Sequence, residues 1–139
     1  MLYYFKLYLA TLIAFLTIDI LWLGLVARTF YQKYLGFIMS PATNWIAAAI
    51  FYLLFILGIL VFVVAPGLEN NSLKTTLLHA SLFGLITYAT YDLTNLATVK
   101  NWPVFVTVVD MAWGTVLSMV VSFISFTVGK RLNSDKIQV

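Results

Sequence analysis

The chain contains no cysteine and a single histidine, His79. The first absence excludes disulfides, thiolate metal sites, iron–sulfur clusters and cysteine nucleophiles within the chain. The second removes any metal centre built from several histidines of one subunit. Charge is scarce too: 9% of the 139 residues are charged, against 63% hydrophobic. A soluble domain of this size could not hide that much apolar surface, because small folds leave much of their area in water. Lipid removes the need, so the chain is expected to be an integral membrane protein with the bilayer as its principal partner. The eight basic residues are scattered near the ends of apolar segments, as snorkelling and topology-setting side chains are. A nucleic-acid partner would need a clustered basic face, and the sequence has none.

The expected fold class is all-α, a four transmembrane helix bundle with spans at about 3–26, 43–65, 75–98 and 103–128. Residues 1–132 then form one domain and 133–139 a cytoplasmic tail without periodicity. Ser40-Pro41 and Asn101-Trp102-Pro103 place prolines near the first turns of the second and fourth helices. Ala65-Pro66-Gly67 is expected to close the second helix, and Asn70-Asn71-Ser72 to turn into and cap the third. Between the first two spans, Phe30, Tyr34, Phe37 and Ile38 alternate at helical spacing with Arg28, Gln32, Lys33 and Gly36. That pattern predicts a short interfacial helix, either an anchor or a lid over the bundle. The amino terminus lacks a small-x-small cleavage site, so the first segment is expected to stay as an anchor. Four spans put both termini on one side. That side carries five basic residues (Lys6, Lys74, Lys130, Arg131, Lys136) against three (Arg28, Lys33, Lys100) opposite. The bias favours an inner-membrane protein with both termini cytoplasmic.

Three of the five acidic residues, Asp19, Asp92 and Asp110, interrupt these spans. Alternating the helices sets all three roughly 10 Å below the surface opposite the termini. Trp22, Trp45, Trp102 and Trp113 fall in the same half of the bilayer. Trp45 and Trp102 suit interfacial anchors; Trp22 and Trp113 each follow an aspartate by three residues, so each indole either lies beside the carboxylate of its own helix or packs with its N–H satisfied inside the bundle. On the third helix Tyr88, Tyr91, Asp92 and Asn95 form a polar stripe flanked by Thr87 and Thr94. On the fourth, Thr107, Asp110, Gly114, Ser118 and Ser122 share a face, a pattern typical of helix-packing seams. The candidate ligand-binding set is therefore Asp19, Trp22, Tyr88, Tyr91, Asp92, Asn95, Asp110 and Trp113.

Several of these residues lie in blocks that carry a family likeness: Asp19-Ile20-Leu21-Trp22-Leu23-Gly24, Tyr91-Asp92-Leu93-Thr94-Asn95-Leu96-Ala97-Thr98, Asn101-Trp102-Pro103 and Asp110-Met111-Ala112-Trp113-Gly114-Thr115-Val116-Leu117. In them the chain resembles the bacterial integral membrane proteins grouped as domain of unknown function 2177. The resemblance implies a small four-helix inner-membrane protein with these residues as its signature, and it implies no substrate, cofactor or catalytic role.

Three functions fit these residues. Three ionised, unpaired carboxylates at one depth would be prohibitive in lipid, so protons, a cation or helix-linking donors must balance them. The first reading is therefore a site that binds or transports a cation, a proton-coupled solute or an amine-bearing ligand; one bundle is too thin for a wide path, so transport implies a homodimer. The second is lipid chemistry performed by the aspartates. Intramembrane aspartyl proteolysis is disfavoured because residues 107–110 read Thr-Val-Val-Asp instead of Gly-x-Gly-Asp. His79 lies ~20 Å from Asp92 along the helix and is expected to be an interfacial or capping residue. The third is a non-catalytic scaffold or subunit of a membrane complex. The sequence leaves open whether a metal is bound.

Overall fold

A computed structural model of the chain describes residues 2–137, with side chains described up to residue 133. It contains four long helical rods: α1 (Leu2–Leu35), α2 (Trp45–Glu69), α3 (Leu73–Thr98) and α4 (Val104–Ile137). Three of them, α1, α2 and α4, are long and apolar enough to cross a bilayer. The third is of comparable length but diluted by Thr, Tyr, Asn, Lys and His. The molecule is an all-α four-helix membrane bundle.

Local chemistry sets most of the boundaries. Asn44 caps α2 by accepting a hydrogen bond from the Ala47 backbone N–H at 3.0 Å. Ser72 caps α3 in the same way through Thr75, at 3.2 Å. Asn71 and Asn101 hold the tight turns with φ of 48° and 62°, a left-handed conformation that asparagine tolerates better than most residues. Pro103 immediately precedes α4, where its missing N–H does no harm.

Two expected stops are absent. Ala65-Pro66-Gly67 does not close α2, which runs on to Glu69. Just before the proline the helix widens into a π-helical stretch, Leu60–Val64, in which the Ala65 N–H donates to the carbonyl of Leu60 five residues back. The wider turn relieves the clash that a proline ring makes in a regular α-helix. Likewise α1 does not end near residue 26. A second π-helical stretch, Leu23–Ala27, joins it without a break to Arg28–Leu35. The segment expected as a separate interfacial helix is helical, but it continues α1. Ser40-Pro41 lies in the loop ahead of α2 instead of its first turn. The backbone of α4 remains helical to Ile137, past the expected end near 128; of the expected tail, residues 138–139 lie outside the described residues.

Packing follows narrow seams. On α1 the buried residues recur every fourth position: Tyr3, Leu7, Thr11, Phe15 and Asp19. They meet Leu117, Val121 and Ser125 of α4 and Phe55, Ile56 and Ile59 of α2 in one core. Thr11 and Ser125 share a hydroxyl–hydroxyl bond of 2.6 Å across that interface. The most intimate contact joins α3 to α4. A Cβ built on Gly84 would stand 2.3 Å from the Gly114 carbonyl oxygen and 2.7 Å from Ser118 Oγ, so only glycine permits this approach. The π-helical and C-terminal part of α2 packs closely on both α3 and α4, whereas its Trp45–Ile59 part packs mainly on α1 and reaches α3 through the side chains of Phe55 and Phe83. The second and third helices therefore diverge toward the Trp45 end.

Replacing Gly84 by alanine should force these backbones apart, at a net cost of about 1–3 kcal/mol despite the better helix propensity of alanine. Gly24→Ala is the control, since nothing lies within 4 Å of its added methyl. Thermal unfolding in detergent measures both. Equal midpoints for the two variants would contradict the close α3–α4 contact.

Candidate functional site

Asp19, Asp92 and Asp110 are all buried, with 7%, 0% and 5% of their surface accessible. Two of them are tied to other helices by tyrosine. Tyr52 of α2 donates its hydroxyl to Asp19 Oδ2 at 2.8 Å. Tyr31 donates to Asp110 Oδ1 at 2.6 Å. Tyr31 can do so because α1 continues beyond Ala27 and lays its last turns against the start of α4. There Phe30 and Tyr34 pack on Phe105, with ring centroids 5.8 and 5.6 Å apart, and Leu35 packs with Trp102 and Val106. The Phe30–Tyr34 side of this segment thus packs on protein.

Asp92 is different. It is fully buried, and neither carboxylate oxygen has a hydrogen-bond partner among the described residues. Its neighbours offer charge and aromatic surface without a donor: Asp110 lies within electrostatic range, as does Tyr91. Tyr88 is within electrostatic reach of all three aspartates. The Tyr88 ring takes its place because Gly114 has no side chain; a Cβ there would sit 2.1 Å from the ring.

Asp92 and Asp110 belong to the wall of a cavity of about 650 Å³ between α2 and α3. Tyr31, Leu35 and Met39 line one end, Phe51 and Phe55 the α2 side, and Thr87, Tyr88 and Tyr91 the α3 side. Phe55 also meets Phe83 at 5.3 Å, so these rings bridge the diverging helices where the cavity ends. Asp19 and Asn95 are not in this wall. Asn95 is half-buried, and its backbone carbonyl accepts the closing bond of α3 from Val99.

The tryptophans are arranged differently from expectation. Trp22 and Trp113 stack on one another, with centroids 4.3 Å apart and planes 11° from parallel. Their N–H groups cross over: the Trp113 indole points toward Asp19 of α1, and that of Trp22 toward the Tyr31 hydroxyl, neither reaching hydrogen-bonding geometry. Each indole therefore does not attend the aspartate of its own helix, because the stack carries both rings across the α1–α4 interface. Trp45 is exposed as an anchor should be, but Trp102 is buried, donates to Thr107 Oγ1 at 3.1 Å and meets Tyr91 edge-on at 5.7 Å.

Of the residues chosen from sequence, Tyr88, Tyr91, Asp92 and Asp110 meet at the cavity. Asp19, Trp22 and Trp113 form an adjoining layer, and Asn95 stands apart. Among the described residues no group of three His, Asp or Glu side chains is close enough to hold a metal ion. The three basic residues weighed as counter-charges, Arg28, Lys33 and Lys100, are exposed, and Lys33 lies 5.1 Å from the Tyr34 ring centroid. His79 is exposed in the second turn of α3, whose cap is Ser72. Sequence reasoning missed Tyr31 and Tyr52, the two donors. Their signal is a phenol within an apolar run, which needs a polar partner when buried.

The chain belongs to the family described as predicted membrane protein (DUF2177), whose profile matches residues 4–127. No curated protein and no solved structure matches it. With the helices above, this makes it a multi-pass inner-membrane protein.

Losing either tyrosine donor should be felt. Tyr31→Phe and Tyr52→Phe are each expected to destabilise by about 1–3 kcal/mol, the cost of leaving a buried acceptor unpaired. Adding Asp110→Asn to Tyr31→Phe should cost less than the sum of the single changes. A double-mutant cycle by denaturant unfolding reads this directly. Additivity within ~0.5 kcal/mol would mean that the two groups are not energetically coupled.

Proposed function

We propose that this protein is an intramembrane binding site for an organic cation, taken up in exchange for a proton at Asp92. The observation that carries the reading is the Asp92 carboxylate itself, fully buried and undonated in a cavity wall. Helix cross-linking accounts for Asp19 and Asp110, each of which has its tyrosine. It does not account for Asp92. An isolated carboxylate in lipid is sustained only as the neutral acid or against a positive partner. No lysine or arginine is among the residues of the cavity wall.

The exchange balances charge. In the empty state the acid keeps its proton. When an ammonium group arrives, the proton leaves and the cation pairs with the carboxylate, so the net charge of the site is unchanged. Neither state strands an unpaired charge in the low-dielectric interior. Asp110, held by Tyr31, adds a second acidic group beside Asp92, and the Tyr88 and Tyr91 rings offer faces that attract cations. Asp19, Trp22 and Trp113 form the layer behind, completing a cluster of carboxylates and aromatic rings at one depth. In this reading α3 also spans the bilayer, its polar residues shielded by α4. Arg28–Leu35 lies at the membrane boundary over the site, and both termini face the cytoplasm. A single bundle serves binding; moving the ligand across would require a second copy.

Propylammonium, which stays ionised over the range used, is a suitable probe. Its affinity by calorimetry should rise from pH 5 to 8, by up to tenfold per unit, and level off once Asp92 no longer holds a proton to displace. Asp92→Asn should bind it weakly and without pH dependence, while its thermal midpoint is not lowered. A flat response in the wild type, or unchanged binding by Asp92→Asn, would overturn the proposal.

The orientation is tested separately. The chain lacks cysteine, so Asn70→Cys and Lys100→Cys introduce single thiols on opposite sides. An impermeant thiol reagent added to intact cells should label residue 100 and spare residue 70. The reverse pattern would show that the termini face outward.

A further inference from the structure

Resting on the reading of Asp92 as a cation site, we infer that the occupant is an amphiphile. It has an ammonium head without phosphate and a hydrocarbon tail, and it enters sideways from the bilayer between α2 and α3. The cavity of about 650 Å³ is roughly twenty times the share of one water, about 30 Å³. A bare cation or a short amine would leave most of it unfilled. Its two acidic residues, Asp92 and Asp110, stand in a wall that is otherwise mainly aromatic and aliphatic. A ligand matched to this division is charged at one end and apolar along its length.

The route follows from which sides are covered. Toward the membrane surface, the last turns of α1 close over Asp110: Tyr31 is bonded to it, and Leu35 is buried against Trp102 and Val106. Toward lipid the wall is open. Phe51 of α2 and Tyr91 of α3, on either side of the gap, are 47% and 57% exposed. The two helices diverge here, and their rings meet one turn or more farther along, where Phe55 packs on Tyr88 and Phe83. A tail in the bilayer can slide between the helices while its head moves to the carboxylates. The charge of the wall narrows the class further. It carries two acidic residues and no lysine or arginine, so a phosphate-bearing head would meet like charge and find no counter-ion. A long-chain amine meets neither objection.

Wild-type protein and Asp92→Asn in nanodiscs, with Asp92→Asn correcting for partition into lipid, should be titrated with dodecylammonium, propylammonium and a lysophosphatidylethanolamine. Dodecylammonium is expected to bind at least ~100-fold more tightly than propylammonium, since each buried methylene adds to affinity. The phosphate-bearing lipid should not compete. Equal affinity of the two amines, both lost in Asp92→Asn, would overturn the amphiphile and leave the cation site standing. Absence of binding by either amine would overturn both. Tight binding of the lysophospholipid would refute the exclusion of phosphate. Dodecylammonium with a terminal diazirine supplies an independent reading, because photolabelling should fall on Phe51, Phe55, Thr87 or Tyr91. Labels confined to other faces of the bundle would refute lateral entry between α2 and α3.

Discussion

The third helix can lie against the fourth only because Gly84 brings no side chain to the Gly114 carbonyl and to Ser118. In lipid, apolar surface gives helices little reason to prefer one another over acyl chains, so such small-residue contacts decide which faces meet. This contact has consequences along both helices. It seats the Tyr88 ring over Gly114, one turn from Asp92's own position on the seam. It also turns Asp92 and Asp110 toward a common region, which neither helix would bury alone. The polarity of α3 is met in two ways: Thr76 and Asp92 are buried in the bundle, and the exposed Thr90, Thr94 and Thr98 donate their hydroxyls to carbonyls of their own helix.

Around that contact the three carboxylates are treated unequally, and the inequality is informative. A buried acid is costly unless hydrogen bonds or charge compensate it. Asp19 and Asp110 are compensated by phenols from other helices, which makes them joints as much as acids. A bundle that needed only such joints would have given Asp92 a donor as well. Tyr88 and Tyr91 lie near enough to interact electrostatically, yet neither hydroxyl bonds to it. A buried group left uncompensated in this way is where stability is traded for function.

Much of this was legible from the sequence. Apolar run length located four helices, and Ser72, Asn71 and Pro103 marked their limits by chemistry that operates within a few residues. Helical rise alone led to the expectation that the aspartates share one depth, and all three are buried in the bundle. What the sequence hid was of two kinds. The π-helical stretches at Leu23–Ala27 and Leu60–Val64 carry helices through points where glycine, proline and charge normally signal an end. Their effect depends on hydrogen bonds that shift by one residue, which no periodicity displays. The second kind is azimuth. Depth follows from counting, but whether Trp113 faces Asp110 or Asp19 depends on how α1 is rotated against α4. The Trp22–Trp113 stack settles that rotation, and it exists only once the helices are assembled.

The continuation of α1 matters more than its few added turns suggest. Had the helix stopped near residue 26, Asp110 would lack its phenol and the cavity would lose Tyr31 and Leu35 from its wall. By running on to Leu35 it supplies Tyr31 as donor and Leu35 as cover in a single turn of helix, since the two are four residues apart and share a face. The donor holds the cover in place, and the cover keeps water from competing for the donor. Closing the surface side in this way leaves the divergence of α2 and α3 as the remaining approach to Asp92. The same continuation of α1 that covers Asp110 therefore leaves the gap beside Phe51 and Tyr91 as the uncovered side of the cavity, while Asp92 itself stays fully buried.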